Sequence, residues 1–392
     1  MQTNDEFPVP EPAAQAHSEA LIRHIREQLD AAGGRIPFER YMDLALYAPG
    51  LGYYAAGARK LGEAGDFITA PEVSPLFAHC LARQFADVLN ELAGGDILEL
   101  GAGSGVLAVD VLRELELLGQ LPQHYFILEV SPDLRERQQQ RLRQEVPQLA
   151  ERVVWLDEPP AQLRGVIFGN EVLDALPVAR FRMDASGIQE EYVTVNGDRF
   201  ETAFQPADET YAAALRTVLG EIDEPLPVPY RSEFSRHVLA FVATLADSLQ
   251  AGLMLFIDYG YGRREYYLPE RNEGTLMCHY RHRAHPDPFV YPGLQDITAY
   301  VDFTQVAETG VNAGMELMGF TSQAQFLLAA GIESIVNDYQ PRSERERVEI
   351  SQQVQRLTLP GEMGDRFKVI GLSRGLDNLL GGFALKDLAS SL

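Results

Sequence analysis

An α/β fold built on a doubly wound, largely parallel sheet is what this sequence predicts, and three observations carry the prediction. Asp96-Ile97-Leu98-Glu99-Leu100 is a short apolar strand that runs straight into a glycine-rich turn, Gly101-Ala102-Gly103-Ser104-Gly105. Val106 to Leu118 follows with helical spacing and is closed by Gly119. Strand, helix, strand, helix and strand then alternate from about residue 96 to 170, the order of a parallel sheet with helices on both faces.

Taken from the N-terminus, residues 1–15 are Pro-rich and polar and read as a lead-in. His17 to Ala32 places Leu21, Ile22, Ile25 and Leu29 at helical spacing and stops at Gly33-Gly34. A second helix starts near Ile36-Pro37-Phe38, and a Gly- and Tyr-rich stretch follows around Gly50-Leu51-Gly52-Tyr53-Tyr54. Gly65 to Glu72 reads as a loop and Ser74 to Leu92 as a helix. Beyond the glycine turn come a strand at His124 to Val130, a helix at Ser131 to Leu142, and strands at Val153–Leu156 and Gly165–Gly169. Ala179–Arg182 and Tyr192–Val195 alternate like strands, His237 to Ala251 is helical, and Leu253 to Asp258 is a strand buried on both faces. Tyr259 to Asp296 reads as a long irregular segment, of the kind that usually covers an active site. Ser322 to Ala330 is a helix, and Phe367 to Leu372 suits an antiparallel closing strand. The expected organisation is an N-terminal helical and loop region, 1–92, covering the ligand site. A core over 93–392 follows, with substrate-binding elements inserted at about 177–250 and 259–320.

Composition narrows the class. The chain has 46% hydrophobic and 23% charged residues, ordinary for a globular enzyme, and a net charge of −24 that disfavours nucleic acid and anionic membrane as partners. Cys80 and Cys278 stand in no CxxC spacing, which excludes a disulfide framework and fits a reducing compartment. Residues 1–12 carry Asp5, Glu6 and Glu11 without an arginine or an apolar stretch, unlike a secretory signal or transit peptide. No apolar run approaches the roughly 20 residues that span a bilayer. The expected location is the cytoplasm.

The glycine turn is a ligand cradle by its chemistry. The strand delivers the chain to the sheet's carboxyl edge, where the next helix presents unpaired N–H groups, and a turn without Cβ atoms lets a ligand lie on the backbone. Its spacing is GxGxG rather than the GxGxxG of dinucleotide sites, and Glu99 stands two residues before Gly101. A carboxylate there repels a pyrophosphate but suits the cationic amino-acid end of S-adenosylmethionine. Glu129, at the end of the next strand, can accept both hydroxyls of a ribose. NAD would use the same device, so Glu129 alone does not separate the two cofactors. The cofactor expected is S-adenosyl-L-methionine, bound by Glu99, Gly101, Gly103, Gly105 and Glu129.

With these residues identified, the chain resembles the MidA family of S-adenosylmethionine-dependent methyltransferases, whose mitochondrial member is a complex I assembly factor that dimethylates an arginine. The resemblance is carried by Gly65-Asp66-Phe67-Ile68-Thr69-Ala70-Pro71-Glu72-Val73-Ser74, the glycine turn through Asp110, and Gly169-Asn170-Glu171-Val172-Leu173-Asp174-Ala175-Leu176-Pro177. Phe256–Tyr261, His279-Tyr280-Arg281-His282-Arg283 and Asp296–Phe303 continue it in the same order, so that it spans about Pro37 to Gly331. It implies a Rossmann-like class I methyltransferase sheet, a protein arginine as acceptor, and Asp66 and Thr69 as further cofactor-pocket residues. The absence of a transit peptide points to a bacterial member of the family.

Asn170 and Glu171 fall just after a strand, at the edge where open α/β sheets bind ligands, and are expected to act in catalysis together with Asp174. Glu171 and Asp174 lie one turn apart if Glu171 opens a helix, and a carboxylate pair can orient a guanidinium. Helix-end stabilisation is the plain alternative for both, as capping is for Asp258. Asn170 is also assigned to the cofactor. His279, His282 and His285 repeat at three-residue steps, but prolines and arginines around them argue against a helix, and no metal is expected. The partners expected are a protein substrate and, for assembly, a homodimer. A small-molecule methyltransferase, an S-adenosylmethionine-binding assembly factor that docks a partner, and, more distantly, an NAD oxidoreductase are the rival readings.

Overall fold

Ile97, Leu98, Val166, Ile167 and Phe168, together with every residue from Leu253 to Ile257, are completely buried, as expected of strands covered on both faces. They belong to a sheet of seven principal strands, which we number β1 (Asp96–Leu100), β2 (Tyr125–Leu128), β3 (Val153–Leu156), β4 (Leu163–Asn170), β5 (Leu249–Tyr261), β6 (Glu316–Ser322) and β7 (Phe367–Arg374). The computed structural model describes residues 7–56, 69–339 and 343–392. The strand order is β3-β2-β1-β4-β5-β7-β6, and the two-residue strand Val301–Asp302 adds to the end of β5. β1 to β5 are parallel, whereas β7 runs antiparallel between β5 and β6. The winding reverses at β1, which has β2 on one side and β4 on the other, with Leu100 opposite both Leu128 and Gly169. That switch point is where open α/β sheets take their ligands.

The chain divides into two compact units, and this sheet organises one of them: Ile68–Leu173, Leu239–Gly262 and Val301–Leu392. On one face the helices Pro75–Glu91, Val106–Leu117 and Gln323–Ala329 share an apolar core with alternate residues of the strands, including Val166, Phe168, Leu253 and Leu255. Phe85 meets Phe168 with ring centroids 4.8 Å apart. The helix Phe303–Asn312 packs against β7, where Gly310 leaves room for Leu372. Ser74 starts the helix Pro75–Glu91 by accepting from Leu76 N at 3.2 Å. The strand β6 and the helices after Ala330 do not stand out in the sequence.

The other unit takes Met1–Phe67, Asp174–Val238 and Arg263–Tyr300. Its helices Pro12–Ala31 and Phe38–Tyr47 bury Leu21, Ile25, Leu29, Tyr41 and Met42. An antiparallel sheet is formed by Arg35–Pro37, Ala179–Asp184, Gly187–Asn196, Arg199–Pro206 and Tyr230–Phe234. Arg180, 5% exposed, is held inside it between Glu191 at 3.2 Å and Glu233 at 3.1 Å. The segment read as irregular from Tyr259 on is more ordered than expected. β5 extends to Tyr261, and Met277–Tyr280, Arg283–His285 and Asp296–Thr298 form a small antiparallel sheet. No helix among the described residues is long and apolar enough to cross a membrane.

Candidate cofactor and active site

The glycine turn leaves β1 with Gly101, Gly103 and Gly105 all at positive φ, at 61°, 54° and 78°. Gly105 then caps the helix Val106–Leu117, whose first N–H groups open toward the turn. A side chain at Gly103 would be strained at that φ, and a Cβ on Gly105 would lie 3.2 Å from Gln138 Cγ. The turn is clamped from two sides. Ser104 Oγ donates to Glu72 Oε1 and accepts from Arg141 at 3.1 Å, while the carbonyl of Gly103 accepts from Gln138 Nε2 at 2.9 Å.

Glu99 is 2% exposed and accepts from Tyr125 Oη at 2.7 Å. Burial pushes its carboxyl up to about 8; Tyr125's donation opposes the rise, and the nearby charge of Glu129 adds to it. A cation placed beside Glu99 would pull the value back down, which suits the ammonium of an amino acid. Glu129 ends the chain's path out of β2. Its Oε1 accepts from Ser131 N and its Oε2 from Gln138 Nε2, both at 3.0 Å. Burial raises its pKa and these two donors oppose the rise. Beside it Val130 is 66% exposed, an apolar surface next to a hydrogen-bonding carboxylate, which is the pair of features a nucleoside needs. The helix that follows, Pro132–Glu145, is capped by Ser131 and carries Arg135, which donates to Glu129 O at 2.6 Å and to Asp157 at 2.6 Å.

Asn170 is the last residue of β4, and register places its neighbour Gly169 opposite Leu100, so the ends of β1 and β4 are adjacent. Asn170 Nδ2 donates to Glu171 Oε1 at 2.9 Å, and Asn170 Oδ1 is a buried acceptor with no partner among the described residues. Glu171 has φ 55°, a left-handed conformation that costs a non-glycine residue roughly 1–3 kcal/mol. Its N–H is satisfied by Ile257 O at 2.9 Å. The expected helix opening at Glu171 is therefore absent: 171–176 is a turn, and Asp258, 1% exposed, accepts from the N–H groups of Val172 at 3.1 Å and Leu173 at 2.8 Å. Asp258 is thus the cap of this turn. Asp174 begins the segment Asp174–Val238 of the other unit, is buried, and gives its carbonyl to Ala299 N at 3.0 Å.

The structure thus brings together Glu99, Gly101, Gly103, Gly105, Glu129, Asn170 and Glu171 at the carboxyl edge of one sheet. Thr69 precedes the short helix Ala70–Val73, whose Glu72 holds Ser104, and its carbonyl accepts from Glu72 N at 3.0 Å. Asp66 lies outside the described residues. His279 and His285 sit on two strands of a hairpin whose turn is Arg281-His282, both at positive φ, so the three histidines do not share a helix face. No group of three metal-capable side chains occurs among the described residues. Sequence reasoning missed Gln138, Tyr125, Glu72 and Trp155. The local signal that could have pointed to them is Ser131-Pro132-Asp133, a helix start directly after the end of β2.

Comparison with known proteins agrees with this geometry. Residues 80–321 match the model of a family described as S-adenosyl-L-methionine-dependent methyltransferases, Methyltransf_28. A crystal structure of a COG1565 superfamily member from Burkholderia thailandensis, bound to S-adenosyl-homocysteine, is 46% identical and superposes with a TM-score of 0.94 over 99% of this chain and 100% of that one. The chain is 29% identical to the protein arginine methyltransferase NDUFAF7 homolog of Drosophila melanogaster, over 95% of its own length and 90% of that protein's. It is 26% identical to the human mitochondrial protein arginine methyltransferase NDUFAF7, over 90% and 83%. The chain therefore belongs to the Methyltransf_28 family of S-adenosyl-L-methionine-dependent methyltransferases.

Proposed function

We propose that this methyltransferase acts on a protein side chain, an arginine guanidinium, with Glu171, Asn170 and Asp174 as the residues that hold and orient it. The observation that carries the catalytic assignment is Glu171 itself: a glutamate in a left-handed conformation, oriented by Asn170, at the end of the strand beside the glycine turn. Backbone strain of this kind persists where the surroundings impose it, most often at functional sites. The names of the relatives supply the acceptor class.

Bound S-adenosylmethionine supplies a methyl group on a sulfonium, an electrophile that needs a nucleophile in line with it. Glu99 neutralises the amino-acid end, Gly101, Gly103 and Gly105 accommodate it against the backbone, and Glu129 accepts from the ribose. Val130 offers the base an apolar face. Asp66 and Thr69 complete the cofactor pocket in this reading, as does Asn170 through its buried Oδ1. A guanidinium donates to carboxylates in a planar, bidentate geometry, so Glu171 and Asp174 would fix its orientation and localise its charge on the nitrogens away from the methyl group. Either carboxylate can take the proton that nitrogen loses on methylation. The inserted segments supply the acceptor-binding elements. A reducing, cytoplasmic setting in a bacterium belongs to this reading, supported by two buried free cysteines.

The test is transfer of a tritiated methyl group from S-adenosylmethionine, by the purified protein, into lysate of cells that lack it, resolved on a denaturing gel. A discrete labelled band whose methyl group maps to arginine is expected. Label confined to small molecules would replace the protein acceptor with a metabolite, and no label at all would favour a docking role.

A further inference from the structure

We propose that Gln138 is a positioning residue that presets the cofactor cradle, and that Trp155 reports on its state. The proposal rests on the placement of the cofactor at the glycine turn. Gln138 belongs to the helix Pro132–Glu145, in which only Gln138 and Leu142 are buried, and it is completely inaccessible. A primary amide has two N–H donors and one carbonyl acceptor, and here all three functions are used. Nε2 donates to Gly103 O at 2.9 Å and to Glu129 Oε2 at 3.0 Å, and Oε1 accepts from Trp155 Nε1 at 2.8 Å. One side chain thereby ties the middle of the glycine turn, the ribose carboxylate and strand β3.

A helix that needed only to be anchored to the turn would spend one N–H there. The second N–H goes to Glu129, whose other oxygen is already fixed by Ser131 N. The carboxylate is therefore held in one rotamer before any ligand arrives, and the ordering cost is not charged to binding. Gly105 lies against the same side chain, since a Cβ there would stand 3.2 Å from Gln138 Cγ. Trp155 is the chain's one tryptophan and the third partner of the amide, so selective tryptophan excitation reads the relay without labelling.

The experiment titrates the full chain with S-adenosylhomocysteine, following Trp155 emission and, in parallel, calorimetry. Wild-type emission should shift saturably. Gln138→Met, similar in volume, should weaken binding roughly ten- to hundredfold, because buried partners lose their hydrogen bonds. Gln138→Glu should weaken it at least as much although it still accepts from Trp155, since it sets a carboxylate against Glu129 and Gly103 O. If Gln138→Met does not fold, Gln138→Asn keeps the amide and shortens its reach. Ile370→Val, a buried change in β7 with no group in the cradle, should lower the melting temperature and leave Kd unchanged. Folded Gln138 variants that bind within about twofold of wild type would overturn the positioning role, as would a loss in Ile370→Val that tracks melting temperature. Ligand binding seen by calorimetry without a change in emission would overturn the reporter role. Gly103→Val separates the two levels: wild-type affinity there removes the cradle itself, whereas its loss beside an intact Gln138→Met removes only this proposal.

Discussion

Replacing Glu99 by glutamine should make the ligand-free protein progressively more stable than wild type as the pH rises. Glu99 is 2% exposed, and burial holds its carboxyl at about 8 against an ordinary 4.5. The folded state therefore binds a proton that the unfolded state has released between those two values. Stability falls with rising pH wherever the folded state holds more protons, so the penalty grows from about pH 4.5 and levels off above about pH 8. At about 1.36 kcal/mol per unit, the difference between pH 6 and pH 8 is on the order of 2 kcal/mol. Glutamine stays neutral, occupies the same volume and can still accept from Tyr125. Urea unfolding of both proteins at the two pH values isolates the group, because every other titration is shared. Binding supplies the converse: in the proposed site a ligand ammonium beside Glu99 would ionise it, so near pH 7 wild type should release close to one proton more than Glu99→Gln, measurable by calorimetry in two buffers. A stability difference that stays flat from pH 6 to pH 8 would refute the reasoning, since a buried and protonated carboxyl cannot give it.

Three further outcomes are expected. Glu129→Ala should weaken S-adenosylhomocysteine binding about tenfold or more, since Ser131 N and Gln138 Nε2 lose their shared acceptor and the proposed ribose contact goes with it; unchanged calorimetric affinity would remove the ribose assignment. Glu171→Gly should raise stability by about 1 kcal/mol, because glycine adopts φ 55° without strain, while methyl transfer falls about a hundredfold and cofactor affinity holds. Full turnover in that variant would exclude a catalytic role. Asp258→Ala should cost about 2–4 kcal/mol in urea unfolding, as it strands the N–H groups of Val172, Leu173 and Tyr259; a loss under about 1 kcal/mol would mean the turn is held elsewhere.

What could be read from the sequence follows the range of the interactions involved. The strand, glycine turn and helix of 96–117 are decided by residues within a few positions of one another, and Glu99 and Glu129 are located by that local frame. β7 was legible because Lys368 alone interrupts the apolar character of Phe367–Leu372. β6 was not, because Gly319 interrupts it at a register shift against β7. Alternation misled in the Ala179–Asp184 strand, where a polar side chain reads as solvent-facing. Arg180 is buried because Glu191 and Glu233 meet it from other strands, and a charge with its partners inside leaves no mark on its own segment. Residues 170–174 show the same limit at the site. A carboxylate pair three positions apart reads as a helix start, but Asp258, more than eighty residues on, captures the N–H groups that a helix would have left open. Glu171, left-handed, stands at the start of that turn, with its own N–H on Ile257 O of β5. Gln138 goes furthest in this direction. Its partners at 103, 129 and 155 are each ordinary in their own segments, and its role exists only where β1, β2 and β3 converge. The part of this site proposed to grip a cofactor is thus written locally, whereas the part proposed to hold the grip in shape is written in contacts between strands.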